Sequence, residues 1–327
     1  MICVSQYKSC IKEVGVNLRK TSRIVIPSLL FLITVIYFSR LTPEINLDTI
    51  SLLTYQKWLW VLLLFVIVQF LNLWYFKLIL TRMYPINSFA KLFKILFASH
   101  SFNYAGPVKL GMPVRIFLFK QILGVPYSAG IATIVATTGL DVCIMITLVI
   151  ALSTWIYVSP LLGFSLGLAI IIGLTGLAAM SHTWSFTRLE RPTWLARFLA
   201  EIRNLSPFVT FCSILLSATK LLLNAVAGWI VLAGLGATTG LTKFSLVYFS
   251  SHLAGLLSFI PMGLGVKDAS VVEFLGRMNT APTISIAFIA IDRLVWSVIP
   301  LLIGLLAGWQ LGIRALMESA GEEPEAL

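Results

Sequence analysis

Two long apolar stretches, 88–127 and 244–280, are interrupted by proline and glycine residues, with charged side chains close to each interruption. Lys109 and Arg115 accompany the first break, and Lys267 accompanies the second. Because proline lacks a backbone N–H and glycine disfavours helix, each stretch should form a helix that stops and restarts. The restarted helix presents unpaired N–H groups and a positive dipole end, which attract anions. We therefore expect the breaks to bind an anionic group such as a lipid phosphate; the alternative is that these cations only snorkel to the headgroups.

The residues around the two breaks form the predicted substrate-binding site. They are Asn103, Lys109, Gly111, Arg115, Pro261, Gly263, Gly265, Lys267 and Asp268. A second group of polar residues in the apolar stretches predicts a polar pathway. It comprises His100, Asp141, His252, Asp292 and Arg293.

A carboxylate inside an apolar helix normally needs a partner or belongs to a pathway. The expected partner of Asp141 is Arg115. The expected partner of Asp292 is Lys267, and a purely structural salt bridge is the alternative for both acids. The two histidines of the pathway could equally form hydrogen bonds between helices.

The composition indicates which elements position these residues. Of the 327 residues, 58% are hydrophobic and 11% are charged, whereas soluble domains carry roughly a quarter charged residues. With a mean hydropathy of +0.95, the chain has too little polar surface for a water-soluble body, which predicts an integral membrane protein. Most of the basic residues that give the net charge of +11 lie in the segments between apolar runs. This distribution is typical of the loops that set the orientation of a membrane protein, so no nucleic-acid partner is expected.

Six apolar runs are long enough to cross a bilayer core of about 30 Å, which takes roughly 20 helical residues. They lie at 24–41, 58–80, 129–153, 158–180, 208–234 and 283–312. The sequence therefore predicts an all-α polytopic membrane protein with about six full spans plus two re-entrant broken helical hairpins. A single transmembrane domain, 24–312, would lie between a basic tail, 1–23, and a short C-terminal tail, 313–327.

Lysine and arginine are in excess in three of the connecting segments, 1–23, 81–127 and 182–207. Since such segments stay in the cytoplasm, we expect a multi-pass protein of the cytoplasmic (inner) membrane with a cytoplasmic N-terminus.

The chain contains an internal repeat. A shift of 152 residues aligns 71–100 with 223–252 at seven identical positions, which are Leu71/Leu223, Asn72/Asn224, Leu80/Leu232, Lys91/Lys243, Phe97/Phe249, Ser99/Ser251 and His100/His252. The repeat units cover about 58–153 and 208–312. Three spans, an odd number, separate the two broken segments if both are re-entrant, which predicts an inverted repeat of the kind found in transporters. If 244–262 crosses fully, the units run parallel.

Two motifs carry a resemblance to a known family. Asn103-Tyr-Ala-Gly-Pro-Val-Lys-Leu-Gly-Met-Pro-Val-Arg115, and Ile260-Pro-Met-Gly-Leu-Gly-Val-Lys-Asp268 followed by Ile291-Asp-Arg293, resemble motifs of the lysylphosphatidylglycerol synthase transmembrane family. These are flippase-like membrane proteins, and the resemblance covers about 20 to 315. The usual motifs look like N-x3-P-G-R-x-G-E-x2-R and P-G-G-L-G-x-x-E.

The sequence departs from these motifs at four places. Lys109 stands where arginine is common, Met112-Pro113 lies near the usual glutamate, Met262 replaces a glycine, and Asp268 replaces the second glutamate. The lost acid near 112 puts a proton-coupling role there in doubt. The resemblance implies a protein that moves or handles a lipid with an anionic headgroup, and we expect a stand-alone membrane module without the synthase domain of bifunctional relatives.

These observations favour a lipid flippase or transporter for an anionic-headgroup phospholipid or a polyprenyl-phosphate-linked glycan precursor, with a membrane lipid as its partner. One alternative is a membrane glycosyltransferase-type enzyme, although the longest loops contain no DxD spacing. Another is an accessory subunit that binds enzymes of envelope glycan or lipid biosynthesis. No catalytic motif, HExxH motif or cysteine spacing predicts an enzyme, a metal or a cofactor.

Overall fold

The structure is a computed structural model that describes residues 52–86, 88–103, 110–183, 206–258, 263 and 265–321. Over 177–183 and 313–321 only the backbone is described. Every regular element within these ranges is a helix, which confirms the all-α prediction. The predicted first span, 24–41, and the basic tail, 1–23, lie outside the described residues.

Four helical segments are long and apolar enough to cross a membrane. They are α1 (Tyr55–Met83), α4 (Tyr127–Tyr157), α6 (Pro207–Gly234) and the segment Pro282–Gly312. At 28 to 31 residues each, they measure about 42–46 Å, more than the apolar thickness of a bilayer. A fifth apolar helix, α5, spans Pro160–Thr183. The chain is therefore a multi-pass membrane protein, with helices at five of the six predicted spans.

The last helical segment is not uniform. It consists of α9 (Pro282–Arg293), a π-helical turn (Leu294–Val298) and α10 (Ile299–Gly321). Helix therefore continues beyond 312, where the sequence predicted the start of a tail. Prolines begin both α6 and α9, where the fixed φ of proline suits the first helical turn and its missing N–H costs nothing.

Each of the two interrupted stretches forms a pair of short helices. The first contains α2 (Phe89–Ser101) and α3 (Gly111–Leu123), and the second contains α7 (Leu241–Leu257) and α8 (Val266–Arg277). Within each pair the two helices pack on each other. Each helix has 12 to 17 residues, fewer than a full crossing needs. The predicted interruptions are therefore present in both stretches.

Helix starts reproduce the internal repeat, but with two different shifts. The starts of α1 and α6, at 55 and 207, and of α2 and α7, at 89 and 241, are 152 residues apart. After the breaks, the starts of α3 and α8, at 111 and 266, and of α4 and α9, at 127 and 282, are 155 apart. The main cause is α7, which has 17 residues where α2 has 13.

The change of shift also affects the two acids of the predicted polar pathway. Asp141 and Asp292 do not occupy equivalent positions, because a shift of 155 places Asp141 opposite Trp296 and Asp292 opposite Thr137. The two acids are thus about one helical turn out of register.

Equivalent helices of the two units pack reciprocally. Gly234, at the end of α6, lies against Leu53 and Lys57 at the start of α1, while Lys220 lies opposite Asn72, so α1 and α6 run antiparallel. Helix α2 packs on α10, and α7 packs on α4, so the first helix of each broken pair contacts the last helix of the other unit. Each unit thus contributes one helix to the packing of the other.

Candidate functional site

A cavity of about 300 Å³ lies between the two units, and its walls reflect the internal repeat. Eighteen lining residues belong to the described part of the chain, and sixteen of them form pairs related by the shifts of 152 or 155. The pairs are Val68/Lys220, Gln69/Leu221, Asn72/Asn224, Leu96/Tyr248, Phe97/Phe249, His100/His252, Asp141/Trp296 and Met145/Pro300. The other two lining residues are Leu73 and Arg115. Equivalent positions of the two units therefore line the same cavity, and Arg115 is a charged lining residue outside these pairs.

One wall of the cavity contains a satisfied ion pair. The Lys220 ammonium group lies 2.7 Å from Asp141 Oδ2, donates to Asn72 Oδ1 at 3.3 Å, and sits 4.3 Å from the centre of the Tyr75 ring. The other carboxylate oxygen, Asp141 Oδ1, accepts a hydrogen bond from the Ser217 hydroxyl. Both oxygens of this carboxylate are thus engaged by the protein, and the pair contributes no net charge to the cavity.

Arg115 brings an uncompensated positive charge to the cavity. Its Nε donates to Ser99 Oγ at 2.9 Å, and its guanidinium carbon lies 4.8 Å from the centre of the Phe76 ring. Among the described residues, no carboxylate lies within 4.0 Å of this guanidinium group. The hydroxyl and the ring orient the side chain without neutralising it. An anion entering the cavity could therefore bind Arg115 without displacing any carboxylate of the described residues.

The second unit contributes an aromatic and imidazole wall. The His252 ring packs on Tyr248 with centroids 4.4 Å apart, and its Nδ1 lies 3.1 Å from the Tyr248 carbonyl oxygen. Tyr248 in turn lies under the Lys267 ammonium group, 5.4 Å from the ring centre. This stack separates the cavity from the charged residues of α8.

Four charged residues of α8 and α9 pair behind this wall. Lys267 Nζ contacts Asp292 Oδ2 at 2.7 Å, as the sequence predicted. Arg293 donates to both oxygens of Asp268, with NH2 distances of 2.8 and 2.9 Å. All four side chains are buried. At the equivalent positions of the first unit stand uncharged residues, which are Met112, Pro113, Thr137 and Thr138.

At the starts of α3 and α8, the helices that follow the breaks, two backbone N–H groups already have hydrogen-bond partners within the protein. The Gly111 N–H donates to Asn103 Oδ1 at 2.9 Å, and the Gly265 N–H donates to Asp268 Oδ2 at 3.1 Å. Gly263 and Gly265 adopt φ of +62° and +81°, which other residues rarely adopt. Asn103 and Asp268 therefore act as caps, so these two N–H groups are not available to a bound anion.

The predicted site residues thus fall into three groups. The cavity is lined by Arg115, His100, Asp141 and His252. Eight further residues lie at or before the starts of the helices that follow the breaks, or form the buried ion pairs of α8 and α9. They are Asn103, Gly111, Gly263, Gly265, Lys267, Asp268, Asp292 and Arg293. Lys109 and Pro261 lie outside the described residues.

Sequence reasoning assigned Asp141 the wrong partner. Its ion pair is with Lys220, not Arg115, and Lys220 was absent from the predicted site. The signal that could have identified Lys220 is its place near the middle of an apolar span, where an isolated cation implies a partner. Gln69, Asn72 and Asn224 also line the cavity without having been predicted in the site.

Metal binding has little support in the described part of the chain, where no group of three or more His, Cys, Asp or Glu side chains converges. The described lining offers instead a cation without a carboxylate partner, Arg115, together with neutral amide and imidazole groups and aromatic rings.

Comparisons with known proteins agree with the sequence motifs. A UPF0104 membrane protein of Methanothermobacter thermautotrophicus is 23% identical over 237 residues, which are 62% of this chain and 70% of that protein. A UPF0104 membrane protein of Methanocaldococcus jannaschii is 27% identical over 95 residues, which are 29% of this chain and only 28% of that protein. Residues 24–304 match the family described as Lysylphosphatidylglycerol synthase TM region. Because this match spans most of the sequence, the chain belongs to that family.

Proposed function

We propose that the protein is a lipid transporter of the flippase type, which receives the anionic headgroup of a membrane lipid in the central cavity. The observation that carries the proposal is Arg115, a cation that lines the cavity with no carboxylate partner among the described residues. A single phosphate would neutralise it. The apolar chains of the lipid would stay in the bilayer, so only the headgroup needs the cavity.

The packing of the units supports an alternating-access cycle. Two long equivalent helices, α1 and α6, run antiparallel, and each broken helix pair packs on the opposite unit. Three helices of span-like composition, α4, α5 and α6, separate the two broken pairs. Inverted units of this kind expose a shared central site first to one side of the membrane and then to the other. We further propose re-entrant broken pairs and a cytoplasmic N-terminus in the cytoplasmic membrane.

Translocation by the purified protein in liposomes tests the proposal. The assay follows movement of an anionic phospholipid between leaflets through the chemical accessibility of its headgroup. Losing a charge-assisted hydrogen bond costs about 1.5–3 kcal/mol, so Arg115→Gln should lower the initial rate by roughly 10- to 150-fold. Arg277→Gln is the matched control, because Arg277 is exposed and pairs only with Glu273 on its own helix.

A second variant tests the same charge without removing it. Ser99→Asp replaces the hydroxyl that accepts a hydrogen bond from Arg115 Nε with a carboxylate, so the new acid would form an ion pair with the guanidinium group. We expect a comparable loss of transport, with Ser99→Ala much less affected. Unchanged transport in folded Arg115→Gln protein would overturn the site. Absence of transport in wild-type liposomes would overturn the function and leave an accessory role.

A further inference from the structure

We propose, resting on the function above, that the headgroup is a phosphate joined to one neutral polyol group of single-ring size, and that headgroups bearing an amine are rejected. Separate features of the cavity support each part of this structure: the Arg115 charge for the phosphate, amides and aromatic rings for the polyol, and the lack of a free carboxylate among the described lining residues against the amine.

The phosphate belongs at Arg115. Guanidinium groups present several N–H donors that match phosphate oxygens, and this one is held in place through Ser99 and the Phe76 ring. The other lining cation, Lys220, is already occupied by Asp141 and Asn72. Among the described lining residues, Arg115 is thus the cation without a carboxylate partner, and one phosphate would match its charge.

Neutral groups that both donate and accept hydrogen bonds line the rest of the cavity. They include Gln69, Asn72, Asn224 and His252, and hydroxyl groups of a polyol complement them because a hydroxyl also donates and accepts. Asn224 Oδ1 is buried without a hydrogen-bond partner in the structure. An orphaned buried acceptor is costly, and a ligand hydroxyl would satisfy it.

Aromatic rings line the same space. They belong to Trp296, in the π-helical turn, and to Tyr248, which packs on His252. A cyclic polyol has C–H faces that suit such rings, while its hydroxyls point to the amides at the ring edge. The volume of about 300 Å³ is at the lower end of the roughly 300–1,000 Å³ of small-ligand pockets. That size favours a single ring over an oligosaccharide.

An amine in the headgroup would find no acid to pair with. Asp141 is the carboxylate among the described lining residues, and Ser217 and Lys220 already engage both its oxygens. Once a phosphate neutralises Arg115, the charges left among the described lining residues are those of the Lys220–Asp141 pair. An ammonium group would therefore lose its hydration without gaining a free carboxylate from these residues, which is costly.

Rates in liposomes with different lipids test the inference. We expect phosphatidylglycerol, phosphatidylinositol or a polyprenyl phosphohexose to move at least tenfold faster than phosphatidylethanolamine and lysyl-phosphatidylglycerol. Faster movement of phosphatidylinositol or the polyprenyl phosphohexose than of phosphatidylglycerol would identify the headgroup polyol as a ring. Faster movement of phosphatidylglycerol would identify it as glycerol. Equal rates for amine-bearing and polyol lipids would overturn the inference while leaving the transport function intact.

A variant of the amide wall separates polyol recognition from phosphate binding. In Asn224→Leu, the ratio of the polyol-lipid rate to the phosphatidic acid rate should fall about three- to tenfold, the range of one hydrogen bond. The matched control is Gln121→Leu, because Gln121 is exposed on α3 away from the cavity. An unchanged ratio in Asn224→Leu would contradict the proposed polyol contact.

Soluble headgroups provide a measurement that does not depend on transport. Glycerol phosphate and inositol phosphate should raise the unfolding temperature of the detergent-solubilised protein, because a ligand that binds the folded state stabilises it. Phosphoethanolamine should give no shift at the same concentration. If no lipid is transported but this order of shifts holds, the headgroup inference survives and the transport function fails. Equal shifts for all three compounds would overturn the inference.

Discussion

Removing one partner of the Lys267–Asp292 ion pair between α8 and α9 should cost far more stability than removing one partner of the exposed Glu273–Arg277 pair of similar length within α8. Lys267 Nζ and Asp292 Oδ2 are 2.7 Å apart, with side chains 10% and 5% exposed. Arg277 Nε and Glu273 Oε1 are 2.8 Å apart, with side chains 72% and 62% exposed. Because the separations nearly match, the comparison isolates the effect of the surroundings.

The expected magnitudes differ severalfold. Asp292→Asn leaves the Lys267 ammonium group buried without its acid, and breaking a buried pair from one side costs about 3–5 kcal/mol. Glu273→Gln breaks a pair in which both partners stay solvated, which costs about 0.2–1 kcal/mol. The double change Lys267→Met, Asp292→Leu removes both charges together, so it should recover most of the loss.

The measurement is the free energy of unfolding in detergent micelles, from denaturant titration of the wild type, the single variants and the double variant. The buried cycle should give a large interaction energy, and the exposed cycle, with Arg277→Gln and Glu273→Gln, a small one. The reasoning is wrong if Asp292→Asn costs less than about 1 kcal/mol, or if the double variant is as unstable as the single.

Three further variants test the packing and the cavity. Gly304→Ala should destabilise the contact between α10 and α2, since a Cβ there would overlap the backbone of α2, whereas Gly312→Ala meets no atom and should be neutral in the same unfolding assay. Gly265→Ala should cost about 1–3 kcal/mol because of its φ of +81°, while Gly276→Ala, inside α8, should cost nothing. Lys220→Met should cost less than Asp292→Asn, about 1–3 kcal/mol, because its acid partner is 26% exposed towards the cavity.

Much of the fold was predictable because the signals are local. Long apolar runs predicted α1, α4, α5, α6 and the segment beginning at Pro282. Proline and glycine clusters predicted the interruptions within both stretches. These signals depend on backbone chemistry and on the cost of exposing polar groups to lipid, and tertiary packing does not alter them.

The site was less predictable because partner choice depends on how helices rotate and pack. Lys267 found its predicted acid one helix further along the chain, but Asp141 pairs with Lys220 on α6 instead of Arg115 on α3. The sequence shows which residues are cations and acids, but it does not show which face of each packed helix they occupy. The extra length of α7 likewise changed the repeat shift after the break. The sequence identities that revealed the repeat all lie before the break, so they could not reveal this change.

The buried charges of α8 and α9 make the two halves of the molecule unequal in the work needed to open them. Pulling α8 away from α9 separates two ion pairs, Lys267–Asp292 and Asp268–Arg293, whereas among the described residues no such pair joins α3 to α4. We therefore expect α3, the helix that carries Arg115, to separate from its neighbour at a smaller energetic cost than α8. The two units would in this way differ in stiffness although their helices follow the same order.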